Sequence, residues 1–240
     1  MKTAVISDIH GNLEAFREVL KDIDLQGVAR IVCLGDTIGY GPEPEESVQL
    51  LRDRRIISVM GNHEMAIISP GYMKRLNEST RKSLRITETL ISESTVRYCR
   101  TLPHAMVRWG ARFVHGSPPG SVTRYMFSPS TEELKRAFDA FEKPLCFVGH
   151  THNLAIFCSA GDEFSGNIDM GKFQLEQGRR YIVNVGSVGQ PRDGDNHAKY
   201  VIWDAEANSV DVRYVPYDIK VTVDKILALG FPDYNATRLW

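Results

Sequence analysis

Residues 4–12 read AVISDIHGN, an apolar run followed by side chains that can bind metals. The run predicts a buried strand, and because alternate residues of an extended chain share a face, Asp8 and His10 lie on the same side of it. Four later segments also follow short apolar runs, and they read LGD at 34–36, MGNHE at 60–64, VHG at 114–116 and VGHTH at 148–152. The carboxyl ends of strands in an open α/β sheet gather binding sites. We therefore expect these segments to form a single site.

The composition is that of an ordinary soluble protein. The chain has 240 residues, of which 42% are hydrophobic and 25% charged, and its formal net charge is -1. A single domain over residues 1–240 is expected for an α/β protein of this size. The near-zero charge gives no support for a nucleic-acid groove or for binding to an anionic membrane surface.

Location and redox state follow from what the sequence lacks. No apolar run approaches the length of a bilayer-spanning helix, and residues 1–3 lead into the first strand without a signal-peptide pattern, so we expect a cytoplasmic location. The four cysteines are far apart and form no C-x-x-C pair. Two of them, Cys33 and Cys146, lie in apolar strand-like runs, which indicates buried free thiols rather than disulfides or zinc ligands.

Hydrophobic periodicity predicts alternating strands and helices in the first half and mostly strands in the second. Helices are predicted from 13 to about 27, after Pro44, after Ser130 and over 219–229, with a turn at 159–162. A Ser/Thr/Arg/Glu-rich stretch at about 65–103 predicts two or three helices lying over or beside the site. This order favours two packed sheets with helices outside over one doubly wound sheet. Strands are predicted at 4–6, 30–34, 56–59, 105–109, 111–114, 145–148, 154–158, 180–185, 199–203 and 210–215.

The histidines are concentrated in the motif segments, which hold five of the seven. A single histidine of this kind could be a hydrogen-bonded loop residue, but the set together with Asp8, Asp36 and Asn62 points to a metal centre. Four imidazoles, two carboxylates and an amide suit two borderline ions such as manganese, iron, zinc, cobalt or nickel, whereas calcium and magnesium sites are mostly oxygen. Asp36, central in the motif order, is the natural bridge. Two such ions favour an anionic substrate and lower the pKa of bound water.

The motifs D-x-H, G-D, G-N-H-E, H-G and G-H-T-H occur in this order, and in this the sequence resembles the calcineurin-like metallophosphoesterases. The resemblance implies a four-layer α/β/β/α sandwich of two packed mixed sheets with a dinuclear centre. It implies that Asp36 bridges the two ions. The other implied ligands are Asp8, His10 and His152 for the first ion, and Asn62, His115 and His150 for the second.

The resemblance also implies a mechanism in which a hydroxide held by the two ions attacks phosphorus. His63 is not a ligand in the family pattern, and it is expected to donate a hydrogen bond to a phosphate oxygen or to protonate the leaving group. The alternative is that His63 only supports the ligands. The Asn62 amide is expected to contact the substrate and to stabilise developing charge together with the ions, and Glu64 to orient the loop.

One loop departs from a well-known branch of the family. Protein serine/threonine phosphatases and symmetrical diadenosine tetraphosphatases carry G-D-x-x-D-R-G, whereas residues 35–42 read GDTIGYGP, so the activity of that branch does not carry over. Residues 184–195, NVGSVGQPRDGD, resemble the small bacterial and archaeal phosphodiesterase-like branch. There Arg192 is a candidate partner for substrate charge, or simply a surface arginine of a tight loop. Near the motif loops lie further candidate pocket residues, namely Tyr40, Arg124 and Tyr125.

The sequence thus predicts a metal-dependent phosphoesterase, with manganese the ion expected to support activity in vitro. Its substrate is expected to be a phosphorylated small molecule or nucleotide carrying a phosphodiester, a phosphomonoester or a nucleotide-type phosphoanhydride. One alternative is a nuclease, which the neutral charge disfavours. Another is a non-catalytic scaffold of the same fold, like the retromer subunit, which would be expected to lack part of the metal set.

Overall fold

Two six-stranded mixed sheets form the centre of the protein in a computed structural model that describes residues 1–160, 163–166 and 171–240. The first sheet has the order β3-β2-β1-β11-β12-β9, where these strands are β1 (Lys2–Ile6), β2 (Arg30–Cys33), β3 (Ile57–Ser58), β9 (Gly171–Gln174), β11 (Ala198–Asp204) and β12 (Ser209–Val215). The second has the order β4-β5-β6-β10-β7-β8, where these strands are β4 (Ala105–Arg108), β5 (Ala111–Val114), β6 (Leu145–Val148), β7 (Leu154–Ala160), β8 (Glu163–Gly166) and β10 (Arg180–Val185).

Helices cover the outer faces and one end of the sheets. They are α1 (Leu13–Leu25), α2 (Pro44–Asp53), α3 (Asn62–Ile68), α4 (Pro70–Met73), α5 (Glu78–Leu90), α6 (Glu93–Thr101), α7 (Thr131–Asp139), α8 (Ile219–Ala228) and α9 (Asp233–Thr237). Side-chain caps begin three of the helices: Asn12 accepts a hydrogen bond from the first turn of α1, Ser130 does so for α7 and Asp218 for α8.

The two sheets pack face to face and each carries a helix on its outer face. Val5 of β1 and Phe147 of β6 belong to the same buried cluster between the sheets. The neighbouring residue Ile6 points the other way and packs with Phe16 of α1, because successive side chains of a strand alternate between its faces. On the second sheet, Val148 packs with α7. The predicted four-layer α/β/β/α sandwich is confirmed.

The strand pairing explains why the motif segments converge. In the first sheet β1 pairs in parallel with β2, and β2 in parallel with β3. In the second sheet β5 pairs in parallel with β6. The carboxyl ends of the strands within each parallel set therefore lie at one edge of their sheet, and the segments that follow them are neighbours.

Several details differ from the sequence-based prediction. The stretch predicted as two or three helices contains four, because Ser69 caps a separate short helix, α4, that begins at Pro70. Strands β8 and β9 and helix α9 were not predicted. The turn predicted at 159–162 is wrong at residues 159–160, which extend β7, and residues 161–162 lie outside the described part of the chain.

Among residues 1–160, 163–166 and 171–240, no helix combines the length and the apolar character needed to cross a bilayer. The cytoplasmic location stays a prediction.

Candidate metal centre

The predicted ligands follow strands β1, β2, β3, β5 and β6. Six of them lie in loops, and Asn62 is the first residue of α3. Five of them have a backbone φ in the left-handed region, with values of 54° for Asp8, 51° for His10, 51° for Asp36, 68° for His150 and 62° for His152. Residues with side chains rarely adopt this conformation, and such strain is concentrated at functional sites. The loops thus turn sharply so that these side chains point towards a common centre.

The first cluster consists of Asp8, His10 and His152, all buried. Asp8 Oδ1 lies 3.6 Å from His10 Nε2 and 3.2 Å from His152 Nε2, and the two imidazole nitrogens are 3.1 Å apart. No hydrogen bond reaches Asp8 Oδ1 from any described residue. Three atoms able to bind one cation therefore face one another in a space closed to solvent.

In each of the two histidine rings, the hydrogen bond made by Nδ1 shows whether Nε2 carries a proton or a lone pair. His10 Nδ1 lies 3.1 Å from the carbonyl oxygen of Ile38, and His152 Nδ1 lies 2.6 Å from that of Gln190. A carbonyl oxygen only accepts, so each Nδ1 carries the proton and donates it, which leaves a lone pair on Nε2. Two lone pairs and a carboxylate oxygen that face one another at 3.1–3.6 Å repel unless a cation lies between them.

The second cluster consists of Asn62, His115 and His150. His115 Nε2 lies 3.0 Å from Asn62 Oδ1 and 3.1 Å from His150 Nδ1, while its Nδ1 donates to the carbonyl oxygen of Leu34 at 3.0 Å. His150 Nε2 is buried and has no hydrogen-bond partner among the described residues. Here again an imidazole nitrogen faces an oxygen that can only accept.

Asp36 lies between the two clusters. Its Oδ2 is 3.7 Å from His10 Nε2 of the first cluster and 3.3 Å from His115 Nε2 of the second, and its Oδ1 accepts a hydrogen bond of 2.8 Å from the backbone N–H of His63. This position is the one that a bridging carboxylate requires. Oxygen and imidazole nitrogen together fit borderline divalent ions, so the residues present suit the metal pair that the motifs indicated.

The pKa values of the clustered side chains are also consistent with a metal site. Burial opposes ionisation of Asp36, but the neighbouring His115 and His63 outweigh it and hold the pKa of the carboxyl well below its usual range. Burial lowers the pKa of His150 to about 3 and that of His152 to about 4, so both rings are neutral and able to coordinate. Although burial also opposes charge on His115, Asp36 raises the pKa of that ring to about 9 and thus attracts positive charge to Nε2, whether a proton or a metal ion.

A family model described as the calcineurin-like phosphoesterase superfamily domain matches residues 1–208. The chain belongs to this superfamily. It is 34% identical to the protein MJ0912 of Methanocaldococcus jannaschii, over 99% of this chain and 96% of that protein. Its fold is similar to the crystal structure of a metallophosphoesterase from Sphaerobacter thermophilus, with a TM-score of 0.85 and 36% identity over 100% of this chain and 98% of that chain. Protein PH1004 of Pyrococcus horikoshii shares the fold at a TM-score of 0.81 and 20% identity, over 100% and 97% of the two chains.

Glu64 holds the motif loops of this superfamily member in place. Its carboxylate accepts hydrogen bonds from the backbone N–H groups of Asp36 at 2.8 Å, Thr37 at 2.7 Å and Gly61 at 2.9 Å. The expectation that Glu64 orients the loop agrees with these contacts. Each lost bond would leave a buried N–H unpaired, so Glu64 fixes the position of the Asp36 carboxylate.

Asn184 is a supporting residue to which the sequence analysis gave no role. It lies at the end of β10, and its Nδ2 donates to the carbonyl oxygen of Gly149 at 2.9 Å and to Thr151 Oγ1 at 2.8 Å. It thereby holds the loop that carries His150 and His152. A signal was present, because an asparagine within a buried apolar strand requires a hydrogen-bond partner for its amide.

Two glycines allow the loops to approach. A Cβ at Gly149 would lie 2.1 Å from Ser7 Oγ and 2.6 Å from Asp8 Oδ2, so the loop after β6 packs directly against the loop after β1. A Cβ at Gly39, where φ is +92°, would lie 2.0 Å from His63 Nδ1. The position of the His63 ring thus depends on glycine at residue 39.

His63 and the candidate substrate residues border the clusters. The His63 ring is 2% exposed and lies 4.7 Å from the His10 ring and 4.5 Å from the Tyr40 ring, measured between centroids. The guanidinium of Arg192 lies 5.8 Å from the Tyr40 ring and donates to Gln190 Oε1 at 2.7 Å. The structure therefore brings His63, Tyr40 and Arg192 together.

Tyr125 and Arg124 lie on another side of the clusters. The Tyr125 ring stacks on His150 with 3.7 Å between centroids. Arg124 is exposed and lines a cavity that Tyr125 also lines.

Proposed function

We propose that this protein is a dinuclear-metal phosphoesterase that hydrolyses a phosphodiester, a phosphomonoester or a nucleotide-type phosphoanhydride. The observation that carries the proposal is the set of imidazole lone pairs and carboxylate oxygens that face one another at 3.1–3.7 Å on both sides of Asp36. Asp8, His10 and His152 would hold one ion, and the second cluster would hold the other, with Asp36 between them. Manganese is the ion we expect to support activity in vitro.

When bound, two divalent ions neutralise phosphate charge and lower the pKa of water so that hydroxide is available near neutral pH. The protein residues position these groups. Asp8 and Asp36 contribute two negative charges inside a solvent-excluded space, so the net charge around an ion pair stays positive and favours an anionic substrate. The Asn62 amide adds a neutral group that can contact a phosphate oxygen.

His63 is proposed as the residue that donates a proton or hydrogen bond at the phosphate. Burial lowers its pKa to about 3, so in the free protein the ring is neutral and carries a single N–H. An anionic substrate favours the protonated form, which would allow the ring to protonate the leaving oxygen. Tyr40 packs against His63, and Arg192 beside Tyr40 is proposed to contact the substrate phosphate.

We also infer that residues 1–240 act as one domain. The helices of the 65–103 stretch are joined to the motif loops through shared core, because Cys99 of α6 packs with Ile38 of the loop after β2 and Val48 of α2. Helix α9 reaches the same loop, since Asn235 Nδ2 donates to the carbonyl oxygen of Tyr40 at 2.9 Å. Through these contacts α6 and α9 support the loop after β2, which carries Asp36 and Tyr40.

A manganese-supplemented activity panel tests the proposal. It compares a bis-aryl phosphate, an aryl monophosphate, cyclic nucleotides and dinucleoside polyphosphates at equal concentration. We expect hydrolysis of at least one class, with loss of activity after chelation and recovery after manganese is restored. A protein that binds manganese and hydrolyses none of them would favour the scaffold alternative, and cleavage of long polynucleotides in preference to all of them would favour the nuclease.

A further inference from the structure

A cavity whose lining includes Tyr125 adjoins the second cluster. It has a volume of about 390 Å³ and lies between the 117–129 segment and helix α7. Ligand pockets typically fall in the range of about 300–1,000 Å³. Tyr125 lines this cavity and also stacks on His150, so the same ring contacts both the cavity and the second cluster.

The cavity offers two kinds of contact. Its aromatic side chains are unusually open to solvent, because Tyr125 is 59% exposed and Phe127 is 65% exposed. Exposed aromatic rings next to a catalytic centre provide surfaces on which a planar ring can stack. Pro118 and Pro119 also line the cavity, and their rings restrict the backbone there.

The charged side chains in this lining are mainly cationic. Arg124 and Arg136 both line the cavity, and both are exposed at its surface. The acidic residue in the lining is Glu133, whose Oε2 accepts hydrogen bonds of 2.9 Å from the backbone N–H and the hydroxyl of Ser130 at the start of α7. Its carboxylate thus caps the helix and also attracts Arg136 and Arg124. Two guanidinium groups and one carboxylate leave the lining with a net positive charge, so it can bind an anion such as phosphate.

We propose that this cavity binds the remainder of the substrate on the far side of the scissile phosphate, and that this remainder is a nucleotide, with a planar base and an additional phosphate. The proposal rests on the phosphoesterase function given above and narrows it to nucleotide-containing diesters and phosphoanhydrides. The base stacks on Tyr125 and Phe127, and the additional phosphate pairs with Arg124 and Arg136. No bond is made or broken in this cavity.

The kinetic test uses two dinucleotides that differ only by one terminal phosphate, the thymidine dinucleotide TpT and its 5′-phosphorylated form pTpT. With manganese, the unmodified protein should show a kcat/KM for pTpT at least about tenfold above that for TpT. In the double variant Arg124→Ala/Arg136→Ala this ratio should fall to near one. Arg85→Ala removes an exposed arginine of α5 outside the cavity and should keep the ratio. Equal kcat/KM for the two dinucleotides in the unmodified protein would overturn the proposal.

A binding test separates this proposal from the proposed function. Thymidine 5′-monophosphate and thymidine are titrated calorimetrically into metal-free protein, since the cavity cations are arginines and need no metal. We expect the monophosphate to bind at least about tenfold more tightly than the nucleoside, and the double variant to lose this difference while Arg192→Ala keeps it. If Arg192→Ala lost the difference in affinity between monophosphate and nucleoside and the double variant kept it, the nucleotide would bind at Arg192 instead, which would contradict the proposal. Hydrolysis of a bis-aryl phosphate reports on the phosphoesterase function independently of this cavity.

Discussion

Asp36 and His63 are neighbours in space, but their side chains have different partners. Asp36 Oδ2 faces imidazole nitrogens of both clusters, at 3.7 Å from His10 and 3.3 Å from His115. His63 Nε2 is 3.9 Å from the same oxygen, and His63 Nδ1 has no hydrogen-bond partner in the described part of the chain. We therefore propose that the carboxylate holds ions and that the imidazole acts on the bound substrate.

Substitution of these two residues should separate metal binding from turnover. Asp36→Asn should lose both bound metal and activity, because an amide is neutral and a poor bridge. His63→Ala should keep its metal and lose turnover by about 100-fold or more, the usual effect of removing a general acid. Elemental analysis measures the bound metal of each variant. Its turnover is measured as kcat for the best substrate of the panel. Equal turnover in the two variants and the unmodified protein would contradict the assignment.

Gly39→Ala should act through His63. The added Cβ would lie 2.0 Å from His63 Nδ1, so the ring must move, and we expect kcat to fall by about tenfold or more while metal content is unchanged. Gly110→Ala is the matched control, because Gly110 has a similar φ of +88° and nothing within 4 Å of the added atom. It carries the same backbone strain of about 1–2 kcal/mol without the collision. A similar fall in kcat for both variants would mean that strain alone is responsible.

Elements with a clear local sequence pattern were predictable, and elements without one were not. The alternation of buried residues along β1 and the capping box of α7 are visible in the sequence because each depends on neighbours a few residues away. Helix α9 depends instead on Asn235, which donates to Tyr40, 195 positions earlier in the chain. A contact of this separation leaves no local pattern.

The contact between α1 and the first sheet includes an ion pair with a measurable pH dependence. Asp22 of α1 accepts hydrogen bonds from Tyr200 at 2.6 Å and from Arg213 at 2.9 and 3.1 Å. Burial raises the pKa of Asp22, but Arg213 and Tyr200 outweigh it and hold the pKa below its usual value of 3.8. Its contribution to stability is therefore present above that value and is lost as the pH falls through the lower pKa of the folded state.

Asp22→Asn should lower the free energy of unfolding by about 2 kcal/mol at pH 7, and the difference from the unmodified protein should shrink below pH 4. Denaturant unfolding of metal-free protein at a series of pH values measures this. Asp24→Asn removes a carboxylate that is 54% exposed and pairs with Arg54, so it should cost less than about 1 kcal/mol. A constant difference between Asp22→Asn and the unmodified protein from pH 3 to pH 7 would show that the shifted pKa makes no contribution.

The two sheets hold ligands that lie far apart in the sequence. Asp8, His10 and Asp36 follow strands of the first sheet, whereas His115 and the 150–152 segment follow strands of the second. The motifs singled out seven candidate ligands, because each of the five motifs follows an apolar strand and contains a glycine. That these residues bind metal stays a prediction. Which ring nitrogen faces the centre was not predictable, since it depends on carbonyl groups such as that of Gln190, 38 positions from His152.

Because the ligands join both sheets, metal binding should stabilise the entire fold. Ions that bind only the folded state at about 1,000 times their Kd would add about 4 kcal/mol. For a domain of this size that corresponds to a rise in Tm of about 10 °C. Thermal unfolding with manganese and after chelation measures it, with Asp36→Asn as the control that should show little change. An equal rise in both proteins would indicate nonspecific binding.

Anomalous diffraction from crystals grown with manganese tests directly whether the two clusters form one dinuclear centre. The proposed function predicts two manganese peaks per chain, one against the first cluster and one against the second, with the Asp36 carboxylate between them. A single peak, or peaks that do not touch Asp36, would contradict it.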